Sequence, residues 1–164
     1  MWFMRAIKVY CPSGVEPPLY AFIDALDGKL KAKLLWQIFR LRNLSVCELK
    51  EPHFKHFSLE RYSQMYELRE KGKVLIRIVF TVQNEDVILL TSFIKRQPRD
   101  TMKALDQSLY ILSDIHQHPD RTSNFDFQRE ATAWKSWFTA FRPQLLLPEL
   151  SLWNGGHNAH EKNY

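Results

Sequence analysis

QMYELREKGKVLIRIVFTVQNEDVILLTSFIK, residues 64–95, carries three strand signals in quick succession. Gln64 to Arg69, Val74 to Val82 and Val87 to Lys95 are rich in β-branched, aromatic and leucine side chains. Turn signals at Lys71-Gly72 and at Gln83–Asp86 part them, and such short links predict an antiparallel meander. Upstream, residues 50–63 hold Lys50, His53, Lys55, His56 and Arg61 and predict a polar loop. Before it, Pro18 suits the first turn of a helix, with Leu19, Phe22, Ile23 and Leu26 at helical spacing. Asp27-Gly28 interrupts, and a second helix runs to about Asn43 on Leu30, Leu34, Ile38 and Leu41, giving a helical hairpin. CPSGVEPP is a loop, and residues 5–10 alternate as a short strand, with Ile7 and Val9 opposite Lys8 and Tyr10.

Downstream, Asp100 is placed to cap a helix carrying Met102, Leu105, Leu109 and Leu112, which His118-Pro119 stops. The expected class is α+β: a small antiparallel sheet packed against an N-terminal helical hairpin and a C-terminal helix, the helices on one face. Residues 1–119 form that domain. Residues 120–164 form an aromatic-rich extension, helical around 127–141, where Trp134, Trp137, Phe138 and Phe141 make a stripe that Pro143 ends.

Net charge is +5, and its distribution is uneven. Residues 120–164 balance Arg121, Arg129, Lys135, Arg142 and Lys162 against Asp120, Asp126, Glu130, Glu149 and Glu161, so the excess lies in residues 1–119. Lys29, Lys31, Lys33, Arg40 and Arg42 decorate the second helix. A basic domain favours polyanions through counterion release, although a solvated surface alone accounts for a modest excess. Cys11 and Cys47 match no metal or redox spacing, which fits a reducing cytoplasm. The first residues lack the order of a signal peptide, and no segment approaches the ~20 apolar residues of a membrane helix. The expectation is a cytoplasmic protein without membrane contact.

Chemistry concentrates in the strands. Arg77 stands inside the apolar run Ile76–Phe80, and a charge there needs an ion pair, with Glu67 the nearest candidate, or a phosphate site. Lys95, Arg96 and Arg99 cluster at the end of the third strand. Arg69 and Arg77 share a sheet face only in one parity of pairing, such as Arg69 opposite Leu75 and Glu67 opposite Arg77. A two-residue turn at Lys71-Gly72 would send them to opposite faces, so a longer or bulged turn is expected.

Tyr66-Glu67-Leu68-Arg69, Ile76-Arg77-Ile78-Val79-Phe80, and Leu89 to Arg96 followed by a proline and a helix containing Ala104 resemble the phage-derived branch of the RelE/HigB-like toxins. That family's pattern is Glu-Leu-Arg, an aromatic-Arg strand and Phe-x-Lys-Lys before the last helix. The resemblance covers about residues 5–117. Ile76 replaces the aromatic residue, Arg96 replaces the second lysine, and the chain continues past the last helix. The resemblance implies a RelE-like fold and a toxin of a type II toxin–antitoxin system that cleaves mRNA, free or on the ribosome. The RNA's own 2′-hydroxyl attacks the adjacent phosphate, so neither metal nor other cofactor is implied. Arg69 and Arg77 would hold the phosphate, and Lys95 with Arg96 would stabilise charge or the leaving oxygen. Glu67, His53 and His56 are candidates for the general base, the plain alternative for both histidines being a surface loop. Lys55, Arg99 and Lys103 are candidate RNA contacts. The implied partner is a cognate helix-turn-helix antitoxin.

Two other readings stand beside this one. A ParE-like protein of the same fold inhibits a topoisomerase by binding it, and a phage protein can bind RNA or a partner without turnover. The basic strand end favours RNA. The apolar extension is expected to dock on its own domain or on a second copy as a homodimer.

Overall fold

Residues 4–130 are described by the structure, a computed structural model. Strand β1 (Ile7–Tyr10) leads into helices α1 (Pro18–Asp24) and α2 (Gly28–Arg40). Strands β2 (Phe54–His56), β3 (Met65–Lys71), β4 (Leu75–Gln83) and β5 (Asp86–Lys95) follow, then α3 (Pro98–Gln117) and β6 (Thr122–Asn124). They form one six-stranded sheet in the order β2-β3-β4-β5-β1-β6. It is antiparallel except where β1 pairs with β5. No described helix is long and apolar enough to cross a membrane.

The hairpin arises as its residues dictate. Pro18 sits in the first turn of α1, and Asp27 caps α2 by accepting the Leu30 N–H at 2.9 Å. Buried Arg5 donates to the carbonyls of Leu41 and Leu44 past the end of α2, and to Glu85 in the β4–β5 turn. In that turn Asn84 and Glu85 both have positive φ, 52° and 70°, as a two-residue link between twisted strands requires. Asp100 lies three residues inside α3 rather than at its cap, where its carboxylate accepts the N–H groups of Arg96 and Gln97.

Helices cover both faces of the sheet, not one. Ile76, Ile78 and Phe80 of β4 join Leu34, Leu35 and Ile38 of α2 in the larger core. Val79, between them in sequence, points the other way, into a second core with Met65, Leu105, Leu112 and Ile115 beneath α3. A strand apolar on both sides is the mark of such burial. Residues 50–63 are not all loop, since β2 pairs with β3 at the sheet edge. At the other edge β6 pairs with β1, and Phe125 just after it is buried against Tyr20 with ring centroids 5.5 Å apart. The predicted helix over 127–141 begins as a single 3-10 turn, Phe127–Glu130; its remainder, with the other aromatic residues of the extension, lies outside the described residues.

Tyr10, Asp114 and Arg121 tie β1, α3 and the lead into β6 together. The Tyr10 hydroxyl donates to Asp114 Oδ2 at 2.7 Å, and Arg121 Nη1 reaches both carboxylate oxygens at 2.8 and 2.9 Å. Those hydrogen bonds, Tyr10's first and Arg121's next, hold the Asp114 carboxyl below the ordinary aspartate value of 3.8. A carboxyl depressed on folding stabilises the fold fully above its unfolded value and loses that contribution as pH falls through the folded one. Parent stability should therefore drop on acidification below about pH 4, and Asp114→Asn should flatten that part of the curve. Urea midpoints from pH 2 to 7 check this, and parallel profiles for the two proteins would refute it.

Candidate functional site

Pairing register fixes which side chains meet. β3 and β4 join through a three-residue turn, Gly72–Val74, so Lys71 faces Leu75 and Arg69 lies directly opposite Arg77. The two arginines share the α3 side of the sheet, as the sequence requires of a longer turn, although Leu75 is not the partner of Arg69. Cross-strand neighbours point the same way, so the rungs can be read across β2 to β5. Lys55, Glu67, Val79 and Thr91 form one; Arg69, Arg77 and Phe93 form the next; Lys71, Leu75 and Lys95 form the last.

Like charges placed directly opposite repel, and here Glu67 answers them. Its carboxylate Oε1 is 3.0 Å from Arg69 Nε and 3.7 Å from Arg77 Nε. The Glu67 side chain is 1% exposed, that of Arg77 11% and that of Arg69 24%. Arg77 Nη1 donates to the carbonyl of Ile76, while Arg77 Nε and Glu67 Oε2 are buried without a hydrogen-bond partner. Burial holds the Arg77 guanidinium below its ordinary value against the pull of Glu67, and Arg69 adds to the effect of burial. One buried acid thus balances two cations, with Lys55, Lys71 and Lys95 on the surrounding rungs. Glu51, on the surface, lies 3.8 Å from Arg69 Nη1. The centre is a net positive cluster with unspent N–H donors, suited to an oxyanion.

Neither histidine joins it. His56 pairs with Tyr66, stacks on that ring at 4.6 Å and sits 2.6 Å from the Ser63 carbonyl, on the α2 side. His53 leans to the same side, its Nδ1 3.8 Å from Glu70, which also meets Lys33 of α2 at 3.6 Å. Period-two alternation explains the outcome, because β2 sends Lys55 to the arginine side and His56 away. Of the three base candidates only Glu67 is beside the arginines. Lys55 lies with them and also stands over the Phe57 ring at 5.5 Å.

Arg96 is past the end of β5, exposed, and lines a cleft of about 340 Å³ with Phe93 and Lys103. Arg99 is exposed on the first turn of α3. Phe93, the aromatic residue of the Phe-x-Lys-Lys pattern, lies directly across from Arg77 and so is a neighbour of the site, a placement that follows only once the register is known. Among the described residues no group of three or more His, Cys, Asp or Glu side chains is placed to hold a metal ion.

One family model, described as phage derived protein Gp49-like (DUF891), matches residues 21–108. That span runs from α1 to the middle of α3 and includes every rung of the arginine cluster. No curated protein and no solved structure matches the chain.

Proposed function

The chain belongs to the family of phage-derived Gp49-like proteins, and on that premise we propose that its arginine face cleaves RNA as the toxin of a type II toxin–antitoxin pair. The observation that carries this reading is the cross-strand pair Arg69 and Arg77 around one buried carboxylate, on the part of the sheet that leaves cations accessible. The order of helical hairpin, meander and helix also agrees with a RelE-like fold.

Arg69 and Arg77 hold the scissile phosphate and neutralise the pentavalent state formed when the 2′-hydroxyl attacks. The 2′-hydroxyl proton passes to solvent, and the bond from phosphorus to the 5′-oxygen breaks. Lys95, one rung further out, stabilises the leaving oxygen, which takes a proton from solvent to become the new 5′-hydroxyl. Glu67 lies beneath the guanidinium groups and is too buried to reach a ribose, so its part is to position the arginines. The mRNA substrate, free or on the ribosome, and the helix-turn-helix antitoxin follow from the toxin resemblance, and the cytoplasmic setting from the two unpaired cysteines.

Induction of the chain without a partner should arrest growth and create new RNA 5′ ends. Arrest with no new ends, accompanied by loss of topoisomerase activity, would favour the ParE-like alternative. Neither arrest nor new ends would remove the toxin reading.

A further inference from the structure

β1 pairs with β5 only at Val87, Ile88 and Leu89. The rest of that edge, Leu90 to Lys95, has no strand partner among the described residues. α3 runs back beside it, and between edge and helix lie two clefts that share Thr91, Ser92 and Gln107. The nearer cleft holds Phe93, the cross-strand neighbour of Arg77, together with Arg96 and Lys103. The farther, of about 360 Å³, is lined by Tyr10, Leu90 and Tyr110, and Tyr110 is 72% exposed. A single exposed ring is ordinary by itself; here it stands on the lining of a cleft that shares Thr91, Ser92 and Gln107 with a cationic one.

Of the acids of α3, only Asp100 lines the cationic cleft, where it stands against Arg96 and Lys103. Asp100 accepts the N–H groups of Arg96 and Gln97, Asp106 is engaged by Tyr62 and Arg61, and Asp114 by Tyr10 and Arg121. What the groove offers is an aromatic ring, two cations, a second aromatic ring and an open backbone edge. Cations alternating with stacking platforms suit a single strand of nucleic acid, whose bases are free to lie on rings. A duplex keeps its base faces stacked inside and cannot use them.

We propose that this groove carries single-stranded RNA away from the arginine pair, with bases stacked on Phe93 and Tyr110 and a phosphate between Arg96 and Lys103. The inference rests on the RNA-cleavage reading for its direction, since Phe93 joins groove and site. It also takes Arg96 out of the chemistry and makes it a contact to the flanking strand.

The test is fluorescence anisotropy with the full chain and a labelled 2′-O-methyl RNA hexanucleotide, which lacks the nucleophile. Tyr110→Ala should weaken binding roughly 5- to 150-fold, the range for one stacked base. The double variant Arg96→Ala/Lys103→Ala should flatten the dependence of log affinity on log salt by about 0.7 for each phosphate it no longer neutralises. Unlabelled duplex RNA should not displace the probe. Arg96, Lys103 and Tyr110 are exposed, and circular dichroism verifies the fold of each variant. Parent-like binding by both groove variants, with Arg77→Ala weakened, would overturn the groove and leave the arginine site standing. Weakened groove variants with Arg77→Ala unaffected would support the groove and confine Arg77 to a step after binding, which the cleavage rate and the new 5′ ends test separately. Failure of the parent to bind the hexanucleotide, whether or not an acidic extended peptide binds instead, would overturn the proposal.

Discussion

Arg77→Ala is expected to lower RNA cleavage by about 10²–10³-fold, equivalent to ~2.7–4 kcal/mol of transition-state stabilisation, and to abolish growth arrest. Arg77 lies across from Arg69 with 11% of its side chain exposed, so its loss removes one of the two guanidinium groups offered to the substrate phosphate. Arg77→Lys should recover only part of the rate, because an ammonium keeps the charge but not the planar fork that grips two oxygens. Both variants should remain folded: Glu67 keeps its 3.0 Å ion pair with Arg69 when Arg77 is gone. The measurements are single-turnover cleavage of a short RNA and thermal unfolding on the same preparations. A folded Arg77→Ala chain that cleaves at the parent rate would remove Arg77 from the site.

Glu67→Gln should have the largest effect on stability, about 3–5 kcal/mol, the range for removing one member of a buried ion pair. With the carboxylate gone, Arg69 and Arg77 face each other directly with no anion between them, and both are largely out of water. The cost should shrink in an Arg69→Met background, where the repulsion is already relieved; such non-additivity is the signature of a shared network. Urea unfolding of the four proteins of this cycle measures it. If Glu67→Gln costs the same with and without Arg69, the carboxylate is not what holds the pair together.

The strands β3, β4 and β5 were legible to within a residue or two, because each combines apolar and β-branched residues with turn chemistry at its ends. β2 was not, since Phe54-Lys55-His56 is three residues in a polar stretch and becomes a strand only by pairing with β3. That gap explains the histidines: with no strand there, nothing could assign His56 to a face. β6 is Thr-Ser-Asn, which carries no hydrophobic signal, and it is fixed by β1 and by Phe125 behind it. The two-sided burial of β4 was written in Ile76 to Phe80, where every residue but Arg77 is apolar. An alternating pattern would mean one wet face; this one means helices on both. The shared face of Arg69 and Arg77 depends on a single loop residue's worth of turn length, which pattern alone narrows to a parity.

The parallel pairing of β1 with β5 has a consequence for synthesis. Ile7 finds its partner Val87 some 80 residues later in the chain. At ~5–20 residues per second, a translating ribosome takes roughly 4–16 s to make the intervening length. For the first part of that interval α1 and α2 present apolar faces that nothing yet made covers, until Leu68, Ile76, Ile78 and Phe80 arrive with β3 and β4. The meander from β3 to β5 closes on local pairings as it emerges, while the first strand must wait to add to the open edge of β5, before β6 joins it. That stretch is therefore the one most in need of a chaperone: α2 is covered as β3 and β4 leave the exit tunnel, and β1 waits for β5.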